Sequence, residues 1–216
     1  MMIQSDFAED VNIGLYGFAT DKYCLIGKSL HLDKQLKGAL NVPIIQITAL
    51  DTQLVKIFIA GNSSGIIVPK ILEEFELAHL KKEFEVLVID DRYTALGNLI
   101  LMNDNGIIIS PLLKSHKKLI SERFGLPCET STVAKGITIG TLALATNKGC
   151  LVHPKIRGDE KKKIKGVLGV ELKEATVNFG SVHVGAGIIA NSHGAAVGSA
   201  TSGYEMGTIN EGLKVS

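Results

Sequence analysis

The 216 residues carry 23 Lys+Arg against 22 Asp+Glu, and apolar residues make up 45% with a mean hydropathy of +0.24. Near neutrality argues against a protein that clamps nucleic acid mainly by neutralising phosphates, while the apolar share suits a substantial buried core. Three cysteines without framework spacing fit free thiols in a reducing, cytoplasmic setting; no basic start with an apolar run reads as a secretion signal, and no stretch approaches the ~18 apolar residues of a membrane span.

Met2 to Gln4 is predicted as a strand ahead of five repeats. Gly65, Gly106, Gly149 and Gly194 each close a polar turn and precede three apolar residues, at steps of 41, 43 and 45. A step of 42 back from Gly65 reaches Tyr23, followed by Cys24, Leu25 and Ile26. Other columns keep the register. Nine residues before each anchor stand Gly14, Gly97, Gly140 and Gly185, with Lys56 the exception. Four before it come Ala19, Gly61, Ala145 and Ala190, with Met102 departing. Three before it come Thr20, Asn62, Asn103, Thr146 and Asn191. A period of this size marks repeated supersecondary units. The approximate units are 10–51, 52–93, 94–136, 137–181 and 182–216, with 1–9 closing the assembly, all in a single domain.

In the first unit Pro43 to Ile47 reads as the closing strand. In the second, Ile66 to Val68 is a strand buried on both faces, since three apolar residues run without alternation. Pro69 then ends the pairing. A helix is predicted over Lys70 to Phe84, with Ile71, Phe75 and Ala78 as one apolar stripe continued by Leu77, Leu80 and Phe84. Glu85 to Ile89 closes that unit. The third runs as a strand over Asn98 to Met102, the turn Asn103-Asp104-Asn105-Gly106, a strand Ile107 to Ile109 and a helix over Leu112 to Phe124. Asn, Asp and Gly suit such turns because they tolerate positive φ. The fourth repeats this with Thr141 to Ala145, Thr146-Asn147-Lys148-Gly149 and Cys150 to Val152. The charged run from Asp159 to Lys165 reads as a solvated helix start. The fifth has Ala186 to Ala190 and Asn191-Ser192-His193-Gly194, but Gly207-Thr208-Ile209 predicts a short or frayed last helix.

The order is β-β-α-β, repeated, and either an open stack or a closed ring accommodates it. The last unit lacks a polar cap and the small-residue column suits strands meeting at one axis, so a ring is expected. Its closure should pair Leu213 to Val215 with Met2 to Gln4. All five polar turns would then form one flat surface for a partner. The candidate contacts are Asn62, Asn103, Asp104, Asn147 and Asn191, with Ser63, Lys148 and His193 beside them. Each Asn has the plainer alternative of simply filling a turn.

Such a ring is the pentein, or α-β propeller, fold. The words Thr94-Ala95-Leu96-Gly97-Asn98, Thr146 to Leu151 with His153-Pro154, and Ala190 to Ala195 resemble those of the archaeal and eukaryotic translation initiation factor six family. So do Gly61-Asn62 with Gly65 and Val68-Pro69, and Asn103-Asp104 with Gly106 and Ser110-Pro111, so the resemblance runs from residue 1 to about 212. It implies a non-enzymatic ribosome anti-association factor. Such a factor binds the large ribosomal subunit, chiefly a uL14-type protein near the sarcin-ricin loop, and blocks joining of the small one. It further implies a role in large-subunit biogenesis, a monomer and no cofactor, and it favours Asn103 among the candidate contacts.

Other signals are weaker. Gly27-Lys28-Ser29 resembles the end of a phosphate loop, but Lys22 stands where the first Gly is required. Gly185 to Ala190 matches a loose dinucleotide fingerprint that runs into a strand instead of a helix. Some penteins are hydrolases that attack guanidino compounds with a Cys nucleophile, which stands as the alternative, and a generic RNA-binding propeller is a third. Cys24 and Cys150 share a buried-strand column, and Cys128 adjoins a Pro. Core thiols are therefore the expected reading.

Overall fold

The computed structural model describes residues 1–29 and 32–215. Among these, fifteen strands form five three-stranded sheets of one design. Gly17–Ala19, Cys24–Gly27 and Ile44–Ile47 make the first, and Ala60–Asn62, Gly65–Pro69 and Val86–Ile89 the second. Ile100–Met102, Ile107–Ile109 and Cys128–Thr130 make the third, and Ala143–Ala145, Cys150–Val152 and Leu172–Glu174 the fourth. In each the middle strand runs antiparallel to the first and parallel to the third.

The fifth sheet joins Ile188–Ala190 and Ala195–Gly198 to Met2–Ser5 from the other end of the chain. Met2 pairs with Ala195 and Ser5 with Gly198, in parallel. The expected pairing of Leu213 to Val215 with this strand does not occur. Leu213 ends an 11-residue helix, Gly203–Leu213, and is fully buried. That helix is neither short nor frayed. Ser202 and Glu205 form a reciprocal capping box at its start, and burial of Ile209 and Leu213 holds its apolar face, which together outweigh poor intrinsic propensity.

Every residue of the five apolar triplets, 24–26, 66–68, 107–109, 150–152 and 195–197, has 0% exposure. Continuous apolar runs are what strands covered on both faces require. The first strands begin later than their sequence suggests. Asn98 and Leu99 lie in a helical turn, Leu96–Leu99, and Thr141 and Ala186 lie in Ile139–Leu142 and Val184–Gly187. Ile13–Leu15 and Val55–Phe58 are the equivalents in the first two units. These turns pack on one another so closely that a Cβ on Gly140 would collide with the carbonyl of Gly97, and one on Gly185 with that of Gly140. The glycine column is a column of backbone contacts between units.

Lys56 breaks this column. Its Nζ donates to the Gly97 carbonyl at 2.6 Å, and burial lowers its pKa to about 8. The side chain borders a narrow space lined also by Ala19, Gly61, Met102, Ala145 and Ala190, the small-residue column of all five units.

The second unit's helix spans Glu74–Glu83 and not Lys70 onward. The expected stripe is split: Ile71 and Phe75 are 48% and 66% exposed and Ala78 is exposed, while Leu80 is buried with Leu72 and Glu76, and Leu77 and Phe84 pack against the core. The cause is Glu76, whose carboxylate accepts from the backbone N–H groups of Leu50 and Asp51 and so turns that face inward. In the third unit, Pro111–His116 is a 3-10 segment preceding Lys117–Phe124, with a break at Leu113 (φ −99°, ψ 15°).

Candidate functional site

The turns between first and middle strands of all five sheets meet at one end, where Thr20, Asp21, Asn62, Asn103, Asp104, Thr146, Asn147 and Asn191 surround a common small cleft. Strand register forces this. Ala19 faces Cys24, Gly61 faces Ile66, Met102 faces Ile107, Ala145 faces Cys150 and Ala190 faces Ala195, so each sheet reverses in the polar residues beyond those pairs.

Asn62, Asn103 and Asn191 do not project from this end. They are 2%, 4% and 1% exposed, because each amide is used inside the protein. Asn62 Nδ2 donates to the carbonyl of Asn103 at 3.1 Å. Asn103 Nδ2 donates to Thr146 O at 3.0 Å and to Leu168 O at 2.9 Å, the latter at the end of the helix Gly158–Leu168. Asn191 Nδ2 does the same with Thr20 O and with Leu40 O, the last residue of the helix Leu32–Leu40. A helix C-terminus leaves carbonyls without intrahelical partners. These two amides satisfy one from the preceding unit's turn. Thr20 and Thr146 lack an amide and bond within their own turns, to Tyr23 O and Gly149 O. The hydroxyl of Tyr23 reaches Asn62 O at 2.8 Å and links the first turn to the second.

A second layer lies one residue further along. Asp104 accepts from Ser63 N at 2.8 Å and Ser63 Oγ at 2.7 Å, and Asp21 accepts from Ser192 N and Ser192 Oγ, both at 2.8 Å. Asn147 Nδ2 joins the two carboxylates, donating at 2.7 Å to Asp21 Oδ2 and to Asp104 Oδ2. Burial opposes ionisation of Asp21, but the bonds from Ser192 and Asn147 outweigh it and hold the carboxyl below its ordinary pKa. The result is Ser192-Asp21-Asn147-Asp104-Ser63, one string across all five turns.

Of the sequence candidates, Ser63, Asp104 and Asn147 are half-buried members of that string, and Lys148 and His193 are exposed at its margin. Asp21 and Ser192 are the members that sequence reasoning missed. Their signal was available: the position two before the anchor reads Asp21, Ser63, Asp104, Asn147 and Ser192, two acceptors among donors. A further column was overlooked eleven residues after the anchor, where Glu76, Glu160 and Glu205 stand. All three are buried and accept backbone N–H groups of left-handed turns between units, at Leu50-Asp51, Ala134-Lys135 and Phe179-Gly180. Glu160 belongs to the charged run expected to be solvated. It is 2% exposed, since the turn it serves lies beneath the helix.

The thiols offer no activated nucleophile. Burial pushes Cys24 and Cys150 up to about 12 and Cys128 to about 11, so all three stay protonated at neutral pH. Among the described residues no group of three His, Cys, Asp or Glu side chains is arranged to hold a metal ion, and no helix is long and apolar enough to cross a membrane.

Fold and site thus define a five-unit α/β repeat protein whose polar turns are bonded into one cluster. A sequence model of the eIF-6 family matches residues 2–212. Translation initiation factor 6 of Methanocaldococcus jannaschii is 37% identical over 225 aligned positions, covering 99% of this chain and 98% of that protein. Its counterparts from Thermococcus onnurineus and Sulfolobus acidocaldarius are 35% and 38% identical, over 96% and 90% of this chain and 96% and 91% of their own lengths. The chain belongs to the eIF-6 family.

Proposed function

We propose that this protein is a translation initiation factor that binds the large ribosomal subunit through its turn cluster and, by occupying that face, keeps the small subunit from joining. The five units would close into a single-domain pentein propeller that acts as a cytoplasmic monomer without catalysis, and a role in large-subunit biogenesis fits the same binding. Family membership supports the initiation-factor role. The observation that carries the choice of surface is the string of side-chain bonds across all five turns. It fixes their relative positions before any partner arrives, and a preorganised surface loses less freedom on binding.

Within this reading the candidates divide by exposure. Lys148 and His193, with the outer faces of Ser63, Asp104 and Asn147, are the contacts. Asn62, Asn103 and Asn191 are positioning residues that hold the turns together. The partner is a ribosomal protein of the uL14 type, beside the sarcin-ricin loop of the rRNA.

Gradient sedimentation tests it. The protein should travel with large subunits and not small ones, and should lower the yield of joined ribosomes. Lys148→Glu combined with His193→Ala should weaken that association without changing the melting temperature. Migration at the top of the gradient, or a steep salt dependence on isolated rRNA, would overturn it.

A further inference from the structure

The outward face of the helix Glu74–Glu83 borders a groove that shares no residue with the turn cleft. Phe75, 66% exposed, and His79 lie one turn apart on that helix. Opposite them stand Lys28, just past the strand Cys24–Gly27, and Thr48, just past Ile44–Ile47. The space between is about 310 Å³, and Ile47 and Leu80, 5% and 1% exposed, form its apolar floor. That volume suits one small ligand.

The backbone beside Lys28 is held in place. The Gln46 side chain accepts from Ser29 N at 3.2 Å and donates to Ser29 O at 3.0 Å, tying the loop that carries Lys28 to the strand. Among the described residues Lys28 has no carboxylate partner. The carboxylate on the wall, Glu76, is already spent on the N–H groups of Leu50, Asp51 and Glu73 at the helix start. The groove therefore offers one free ammonium and one imidazole beside an open aromatic face.

We propose that this groove binds a nucleoside monophosphate, with the base against the Phe75 ring, the phosphate at Lys28 and His79, and the Thr48 hydroxyl within the sugar's span. A base needs a flat apolar face and a phosphate needs a cation. The groove pairs the two at the scale of one nucleotide. Lys28 comes from the Gly27-Lys28-Ser29 word, which lacks the first glycine of a phosphate loop. It acts here as a point charge and not as part of a backbone cradle.

The test is calorimetric titration of the full chain with adenosine monophosphate, adenosine, inorganic phosphate and hexa-adenylate. The monophosphate should bind, and adenosine and phosphate should each bind at least about fivefold more weakly. Lys28→Ala and Phe75→Ala should each weaken monophosphate binding by at least about fivefold, whereas Phe75→Trp and Lys118→Ala should not. All three side chains are exposed, and melting curves confirm that the variants are folded. Absent monophosphate binding, binding indifferent to both alanine variants, or tighter binding of hexa-adenylate would each overturn the assignment.

Discussion

Replacing Glu160 by Gln removes the charge from a carboxylate that holds two units together. Its oxygens accept from Thr132 Oγ1, from Lys135 N at 3.0 Å, and from Ala134 N and Arg157 N, each at 2.9 Å. Burial opposes its ionisation, but these bonds outweigh burial and draw the pKa from 4.5 to about 2. A folded pKa below the unfolded one stabilises the fold above the unfolded value and loses that stabilisation as pH falls towards the folded value. The drop is equivalent to about 3 kcal/mol at neutral pH, of which about 2 kcal/mol is gone by pH 3. Glutamine keeps one acceptor and turns an amide donor towards two N–H groups, so its cost at neutral pH is of the same order, about 3 kcal/mol. Urea unfolding at pH 7 and pH 3 measures both. The gap between Glu160→Gln and the parent protein should be large at pH 7 and shrink to about 1 kcal/mol at pH 3. Glu174→Gln, which breaks only the exposed pair with Lys161, should stay within about 0.5 kcal/mol. A Glu160→Gln deficit under about 1 kcal/mol at pH 7, or one equal at both pH values, would refute the reasoning.

Three further outcomes follow from the geometry. Asn103→Ala strips a donor from Thr146 O and Leu168 O, and should cost about 1–3 kcal/mol in urea unfolding while weakening large-subunit binding in gradients. Gly140→Ala drives a Cβ into the carbonyl of Gly97, so calorimetry should show a loss of about 3 kcal/mol or more, against less than about 1 kcal/mol for Gly166→Ala, where a Cβ meets open space. Deleting residues 1–5 removes the third strand of the fifth sheet, and circular dichroism should record a lower melting temperature even though no residue of a polar turn is lost.

Repetition made most of the fold legible. Triplets such as Ile107-Ile108-Ile109 could only be strands covered on both faces, and the glycine, turn and anchor columns placed the reversals in the right residues. The helical turns at Leu96–Leu99 and its equivalents were hidden, because four residues are too few for a helical period to be seen. The stripe of Ile71 and Phe75 misled for a different reason. Apolar spacing gives the face of a helix, but a buried acid such as Glu76 can turn that face outward when it serves a neighbouring turn.

The sequence by itself determined the number of units, the strand triplets, the small residues around the narrow space beside Lys56 and the family. It could not decide which side chains at the turns remain free. Asn62, Asn103 and Asn191 look identical to exposed turn residues in one dimension, since a turn Asn bonds either itself or a neighbour with the same composition. Only the tertiary structure set their amides against carbonyls of the next unit, from 41 to 171 residues away in sequence. It likewise gave Met2–Ser5 rather than the C-terminal segment to the last sheet, because burying Ile209 and Leu213 in a helix left an edge of Ala195–Gly198 that only the other end of the chain could fill. Hydrogen-bond donors are fixed by composition, but their partners are fixed by packing.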